Sequence, residues 1–208
     1  MNHKPSWSLV IGPRTSVVGH RPLDGVSDMR YEIRLSGEGG QGIILAGIIL
    51  AESVIQDGRN VVQTQVYGPE SRGGATKAEV IISDEEIDYP KAGRIDLLLA
   101  LTQEACDKYW EDLKNTGTLI VDSAEVVAVP SGGFATYRLP ILETAREKVG
   151  REVVANIVAL GTVTAVSGVV SREAIERAVL ARVPKGTEEQ NVKALTAGFE
   201  LAAVHVNR

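Results

Sequence analysis

The stretch YEIRLSGEGGQGIILAGIILAESVIQDG (residues 31–58) decides how the rest of the chain is read. Its first five residues alternate and carry Ile33 and Leu35, the pattern of a short strand. Residues 36–42 then hold four glycines in seven positions. Residues 43–55 are almost wholly apolar, with Ile43, Ile44, Leu45, Ala46, Ile48, Ile49, Leu50, Ala51, Val54 and Ile55. Such a run exceeds an ordinary strand and falls well short of the ~20 residues that span a bilayer. It reads as a buried helix. Strand, glycine turn and buried helix form the opening half of a parallel βαβ unit.

Gly37, Gly39 and Gly42 fall on the spacing G-x-G-x-x-G, where absent side chains permit positive φ and close approach of a ligand or of another backbone. The turn feeds the amino end of a helix, whose free N–H groups and dipole favour a phosphate or carboxylate. The alternative is that these glycines only let helix pack on strand. A nicotinamide-binding version expects an acidic residue at the end of the second strand, roughly 20 residues on. Here residues 60–66 read NVVQTQV and run into Tyr67-Gly68-Pro69; Asp57 lies at about the right distance but belongs to the helix end. The missing acid weighs against a stand-alone dinucleotide-binding reductase.

Bulk properties narrow the class. A chain of 208 residues fits one domain with a small appendage, and 44% hydrophobic content is ample for a core. A net charge of −5 and 4% aromatic residues argue against nucleic acid or an anionic membrane as the main partner. The single cysteine, Cys106, excludes an internal disulfide and an all-cysteine iron–sulfur cluster held by this chain alone. His3, His20 and His205 offer no zinc-type spacing. Residues 1–28 mix prolines and glycines with short apolar bits and lack the continuous apolar stretch of a signal peptide. They read as a flexible arm for docking on a partner, with Met29 a candidate for the biological start. The domain proper is expected over residues 29–208, in the cytoplasm.

The second glycine-rich loop is Tyr67-Gly68-Pro69-Glu70-Ser71-Arg72-Gly73-Gly74. Pro69 fixes φ and the paired glycines free the backbone, so Arg72 is presented to a planar anion, or else it pairs with Glu70 on the surface. Residues 76–83 alternate and pair with 60–66 as an antiparallel hairpin at the sheet edge. Residues 95–101 (IDLLLAL) and 119–122 read as strands buried on both faces, and 135–139 as a last short one. Thr102 caps a helix running to about Asn115 with Gly117 as its stop. Pro140 opens a helix to Gly150. A second very apolar helix covers 151–167, Ser171 caps another to Arg182, and Thr187 with Gln190 forms a capping box for the last. The expected architecture is α/β: a mostly parallel twisted sheet with helices on both faces, Rossmann-like, an edge hairpin and a helical C-terminal part.

Cys106, flanked by Glu104 and Asp107, reads as core packing rather than a reactive thiol. Asn156, in an apolar helix, needs a hydrogen-bond partner in a loop or a neighbouring subunit. No Ser–His–Asp set is suggested, and the Gly-Asp-Gly and paired-Asn pattern for thiamine diphosphate is absent.

Taken in order, Gly37-x-Gly39-Gly40-Gln41-Gly42, the segment Tyr67 to Gly74, Asn156-Ile157-Val158-Ala159-Leu160-Gly161 and the Asn191-x-x-Ala194 region resemble the gamma subunit, or gamma domain, of 2-oxoacid:ferredoxin oxidoreductases. Residues 31–37 are most similar to the 2-oxoglutarate branch, also called 2-oxoglutarate synthase. The resemblance implies an oxygen-sensitive complex in which thiamine diphosphate, Mg and iron–sulfur clusters belong to alpha, beta and ferredoxin-like delta subunits, with ferredoxin as electron acceptor and coenzyme A as co-substrate. This chain then has no catalytic residue and binds no cofactor alone. The resemblance implies that Gly37, Gly39, Gly40, Gln41, Gly42, Tyr67, Glu70, Ser71, Arg72, Gly73, Gly74 and Asn156 face coenzyme A or a subunit interface. A purely structural assembly subunit, and the pyruvate, 2-oxoisovalerate and indolepyruvate relatives, stay open as alternatives.

Overall fold

Residues 31–35 do form a strand, at the middle of one six-stranded sheet. The computed structural model describes residues 29–66 and 74–206. The strands are β1 (Arg30–Glu38), β2 (Asn60–Val66), β3 (Ala75–Ser83), β4 (Ile95–Ala100), β5 (Leu113–Asp122) and β6 (Ala135–Leu139), in the order β2-β3-β1-β4-β5-β6. β1, β4, β5 and β6 are parallel, while β3 lies antiparallel between β1 and β2. The expected hairpin is therefore present at the edge. β2 runs in the direction of β1 but is not its neighbour, because β3 takes the place between them.

Helices cover both faces. On one, α1 (Ile43–Gln56), α4 (Ala155–Ser167), α5 (Arg172–Arg182) and α6 (Glu188–Val206) enclose a large core with Ile33, Leu35, Leu97, Leu99 and Leu139. On the other, α2 (Gln103–Tyr109) sets Ala105, Cys106 and Tyr109 against Leu98, Ala100, Leu119 and Val121. The period-2 alternation inside the run 95–100 thus splits Leu97 and Leu99 from Leu98 and Ala100, as burial on both faces requires.

α4 is buried along nearly its whole length, from Ala155 to Thr164, and crosses α6 where Gly161 meets Gly198. A Cβ on Gly161 would collide with Leu195 O, and one on Gly198 with Val158 O. Two bare backbones make this crossing possible.

Several boundaries depart from the sequence reading. The helix capped by Thr102, whose hydroxyl accepts from Ala105 N–H at 3.3 Å, ends at Tyr109 and passes through the 3-10 turn Trp110–Asp112 straight into β5. Gly117 is no helix stop. It lies within β5, where the register against β4 jumps from Ile95–Leu113 to Leu97–Thr118, and a Cβ there would come within 2.9 Å of Lys114 O. Pro140 flanks its helix instead of opening it: α3 (Ile141–Thr144) begins one residue later and widens into the π-helical turn Ala145–Val149. Asp122 supplies the cap, accepting from Leu142 N–H at 2.9 Å. The segment after Gly150 enters α4 through a 3-10 turn, Glu152–Val154. Ser171 caps α5 as expected, accepting from Ala174 N–H at 3.1 Å. The capping box does not form. Thr187 Oγ1 donates to Pro184 O and accepts from Asn191 Nδ2, while Gln190 Oε1 accepts from Arg151.

Candidate functional site

The chain leaves β1 through the glycine turn into α1 on one face, and leaves β4 into α2 on the opposite face. Neighbouring parallel strands whose following helices diverge in this way create a crevice at their carboxyl ends, where open α/β sheets bind ligands. One backbone bond and one side-chain bond hold the seam up to that rim: Leu101 N–H donates to Ser36 O at 3.0 Å, and Ser36 Oγ donates to Leu99 O at 2.7 Å.

Gln41 builds the glycine turn. Its N–H donates to Glu38 O at 3.2 Å, and its Oε1 accepts from Glu38 N–H at 2.8 Å. Gly40 (φ 97°) and Gly42 (φ 73°) occupy left-handed backbone, the conformation that favours glycine. A Cβ on Gly37 would collide with Gln41 Oε1, and one on Gly42 would stand 2.5 Å from Asn156 Nδ2.

Asn156 is buried, only 5% exposed, and its Nδ2 donates to Gly42 O at 3.3 Å. The partner that the sequence demanded for this amide is therefore the glycine turn itself. Neither α1 nor α4 has an acidic residue in its first turn, and Gly42 has no side chain to cap α1. The amino end of α1 therefore meets the turn without a side-chain cap, while Glu152, in the 3-10 turn that leads into α4, places a carboxylate at the amino end of the other helix. Gly40, Gln41, Leu142, Glu152, Val153 and Ala155 line an open hollow of about 150 Å³ there. Val153 is 70% exposed.

The mouth of the hairpin comes to the same rim. Ala75, the first residue of β3, pairs with Glu38, the last of β1, and Gly74 precedes it at φ 85°. Tyr67, Glu70, Ser71, Arg72 and Gly73 lie outside the described residues. The structure thus brings together Gly37, Gly39, Gly40, Gln41, Gly42, Gly74 and Asn156 from the predicted set.

Sequence reasoning missed the groups that brace this rim. Ala75 N–H donates to Glu104 Oε1 at 3.2 Å, and Tyr109 OH donates to Ala75 O at 3.3 Å. Burial pushes the Tyr109 hydroxyl up from its ordinary range, with Arg34 opposing and Glu79 and Glu104 reinforcing, so it stays a proton donor. The Arg34 guanidinium, 3% exposed, stacks 5.1 Å from the Tyr109 ring centroid and pairs with Glu79 at 2.7 Å and with Asp112. Lys77 and Thr64 also reach Glu79. Gln103 Oε1 accepts from Val127 and Ala128 N–H, both at 2.9 Å, and fixes the loop after β5. Only Gln103 and Glu104 carried a positional signal, since they follow the carboxyl end of β4.

Among the described residues the donor set does not fit a metal or cluster. Cys106 is fully buried and its thiol is raised to about 11, first by burial and then by Asp107. The described residues gather no group of three or more His, Cys, Asp or Glu able to hold a metal ion. β2 carries no acid for a nucleotide ribose, and Asp57 is occupied by Ser171, accepting from its N–H at 2.6 Å and its hydroxyl at 2.8 Å. Among the described residues no helix is long and apolar enough to cross a membrane.

A diverging switch point, a glycine turn and an edge hairpin joined to a helical C-terminal part define a recognisable class. The family model for pyruvate ferredoxin/flavodoxin oxidoreductase matches residues 32–201, and the chain belongs to that family. Within it, the chain is 50% identical over 177 residues to 2-oxoglutarate synthase subunit KorC of Methanocaldococcus jannaschii, covering 84% of this chain and 95% of that protein. It is 51% identical over 180 residues to KorC of Methanothermobacter marburgensis, covering 83% and 97%. The crystal structure of a keto/oxoacid ferredoxin oxidoreductase gamma subunit from Geobacter sulfurreducens superposes with a TM-score of 0.79 at 57% identity, over 85% of this chain and 98% of that one. A chain of 2-oxoglutarate:ferredoxin oxidoreductase from Magnetococcus marinus shares the fold, with a TM-score of 0.76 at 24% identity; this chain spans 31% of it.

Proposed function

We propose that this chain is the gamma-type subunit of a 2-oxoglutarate:ferredoxin oxidoreductase (2-oxoglutarate synthase). The complex converts 2-oxoglutarate and coenzyme A to succinyl-CoA and carbon dioxide and passes the electrons to ferredoxin. The observation that carries the reading is near-full-length identity to the KorC subunits, at 50% over 177 residues. Thiamine diphosphate, Mg and the iron–sulfur clusters belong to alpha, beta and ferredoxin-like delta partners, in keeping with the lone buried thiol of this chain.

The chain's own contribution is binding and orientation. The glycine turn offers backbone N–H groups and an uncapped helix end to phosphate oxygens of coenzyme A. Arg72, between β2 and β3 in the sequence, supplies a planar cation for bidentate phosphate recognition. Substitution Arg72→Ala in the assembled complex is expected to raise KM for coenzyme A while leaving thiamine-radical formation from 2-oxoglutarate intact. Unchanged kinetics in a fully assembled complex would remove the coenzyme A role and leave a purely structural assembly subunit. Turnover by the isolated chain without companion proteins would overturn the subunit reading itself.

A further inference from the structure

The rim of the switch point depends on one backbone residue that α2 grips from both sides. Ala75 is the register partner of Glu38, which closes the glycine turn through Gln41. Its N–H donates to Glu104 Oε1 and its carbonyl accepts from Tyr109 OH. Within α2, Glu104 and Tyr109 stand at opposite ends of a helix anchored at Thr102, and the preceding residue, Leu101, is bonded to Ser36 of β1. The grip therefore links three strands at their rim: β1 beside the glycine turn, β3 at the hairpin mouth, and β4 where the chain enters α2.

A general reason makes this more than a fold contact. Most of the sheet is fixed by ladders that continue for several residues on either side, whereas Ala75 is the first paired residue of β3 and has Gly74, at φ 85°, in front of it. A terminal ladder position next to a glycine frays easily. Here the fraying is prevented from outside the sheet, by an acidic side chain and a tyrosine hydroxyl of a helix on the opposite face from α1. Glu104 is itself exposed, so it gains little as a packing residue. Its hydrogen bond is its role.

We infer that Glu104 and Tyr109 are positioning residues for the coenzyme A site: by clamping Ala75, the register partner of Glu38, they hold the glycine turn in place, so that it stays aligned for the phosphates of the ligand. This rests on the coenzyme A reading proposed above. Misplacing a binding group by about an ångström weakens the aligned complex far more than it weakens the fold.

The test uses the assembled complex carrying Glu104→Ala, Glu104→Gln or Tyr109→Phe. KM for coenzyme A is expected to rise about five- to tenfold in Glu104→Ala and Tyr109→Phe, the effect of losing one hydrogen bond to a positioned group, with kcat within about twofold. Glu104→Gln keeps the acceptor oxygen and is expected to restore KM to near the parent value. Hydrogen exchange of peptides over residues 74–78 should quicken in the first two variants and not in the third. Faster exchange with an unchanged KM would reduce the clamp to a structural feature and overturn the inference. If Arg72→Ala raises KM and the clamp variants do not, the inference alone fails; if neither set moves KM, the coenzyme A reading fails with it.

Discussion

Asn156 shows how one amide can serve a turn and a core together. Its side chain comes from an otherwise apolar helix, and its hydrogen bond to Gly42 O satisfies a group that would be costly to bury alone. The same contact explains why Gly42 tolerates no side chain. Cys106 is the opposite kind of residue, buried with no polar task. With its folded-state value raised from 9.0 to about 11, the thiol binds its proton more tightly folded than unfolded. Its stabilising contribution is therefore intact below pH 9.0 and is lost as pH rises through about 11. Cys106→Ala should show a shallower fall in melting temperature between these limits than the parent chain. A disulfide reagent at neutral pH should label the parent only after unfolding. Rapid labelling of the native chain would contradict the burial.

Among the elements, the α4–α6 crossing carries the sharpest steric demand. Gly161 and Gly198 face one another so closely that a methyl on either would strike a carbonyl of the opposite helix. Gly198→Ala should therefore destabilise the fold by about 1–3 kcal/mol, the cost of forcing a methylene into a packed site, and Gly198→Val by more. Because both glycines open the same crossing, adding Gly161→Ala should cost less than a second independent substitution. Urea denaturation measures both effects, and full additivity would mean that the two helices do not share one contact. α1 is held differently, by apolar burial on the sheet and by Gly47, which lets it approach Ala78 of β3. Helix and strand identities were legible because their apolar periods differ. Their boundaries were not: the end of α2 and the start of β5 depend on the register shift against β4, a long-range relation with no local marker.

At the scale of the whole molecule, the cluster around Arg34 joins the edge hairpin to the α2 side of the sheet. Arg34 on β1 pairs with Glu79 on β3 and with Asp112 at the end of the α2 segment, over the ring of Tyr109. Arg34→Ala leaves Glu79, 8% exposed, with Lys77 and Thr64 among the described residues, and should destabilise the chain by about 1.5–3 kcal/mol, the loss of hydrogen bonds to a buried charged group. Arg34→Met with Glu79→Leu should recover much of that loss. Denaturant titration of the two variants distinguishes a stranded charge from a lost packing volume. The cluster was invisible beforehand because residues 34, 79 and 112 are far apart in sequence and each is ordinary in its own segment. The glycine turn, in contrast, is a contiguous motif.

Sequence alone determined the succession of strands and helices, the location of the glycine turn, the burial of the 95–100 run and the need of Asn156 for a partner, because periodicity, glycine spacing and the cost of an unpaired amide act over a few neighbouring residues. Only the tertiary structure decided that β3 stands between β1 and β2, that Asn156 answers to Gly42, and that Glu104 and Tyr109 close on Ala75. Those outcomes depend on which distant segments share the free energy of one core, and the chain fixes that choice collectively when it folds.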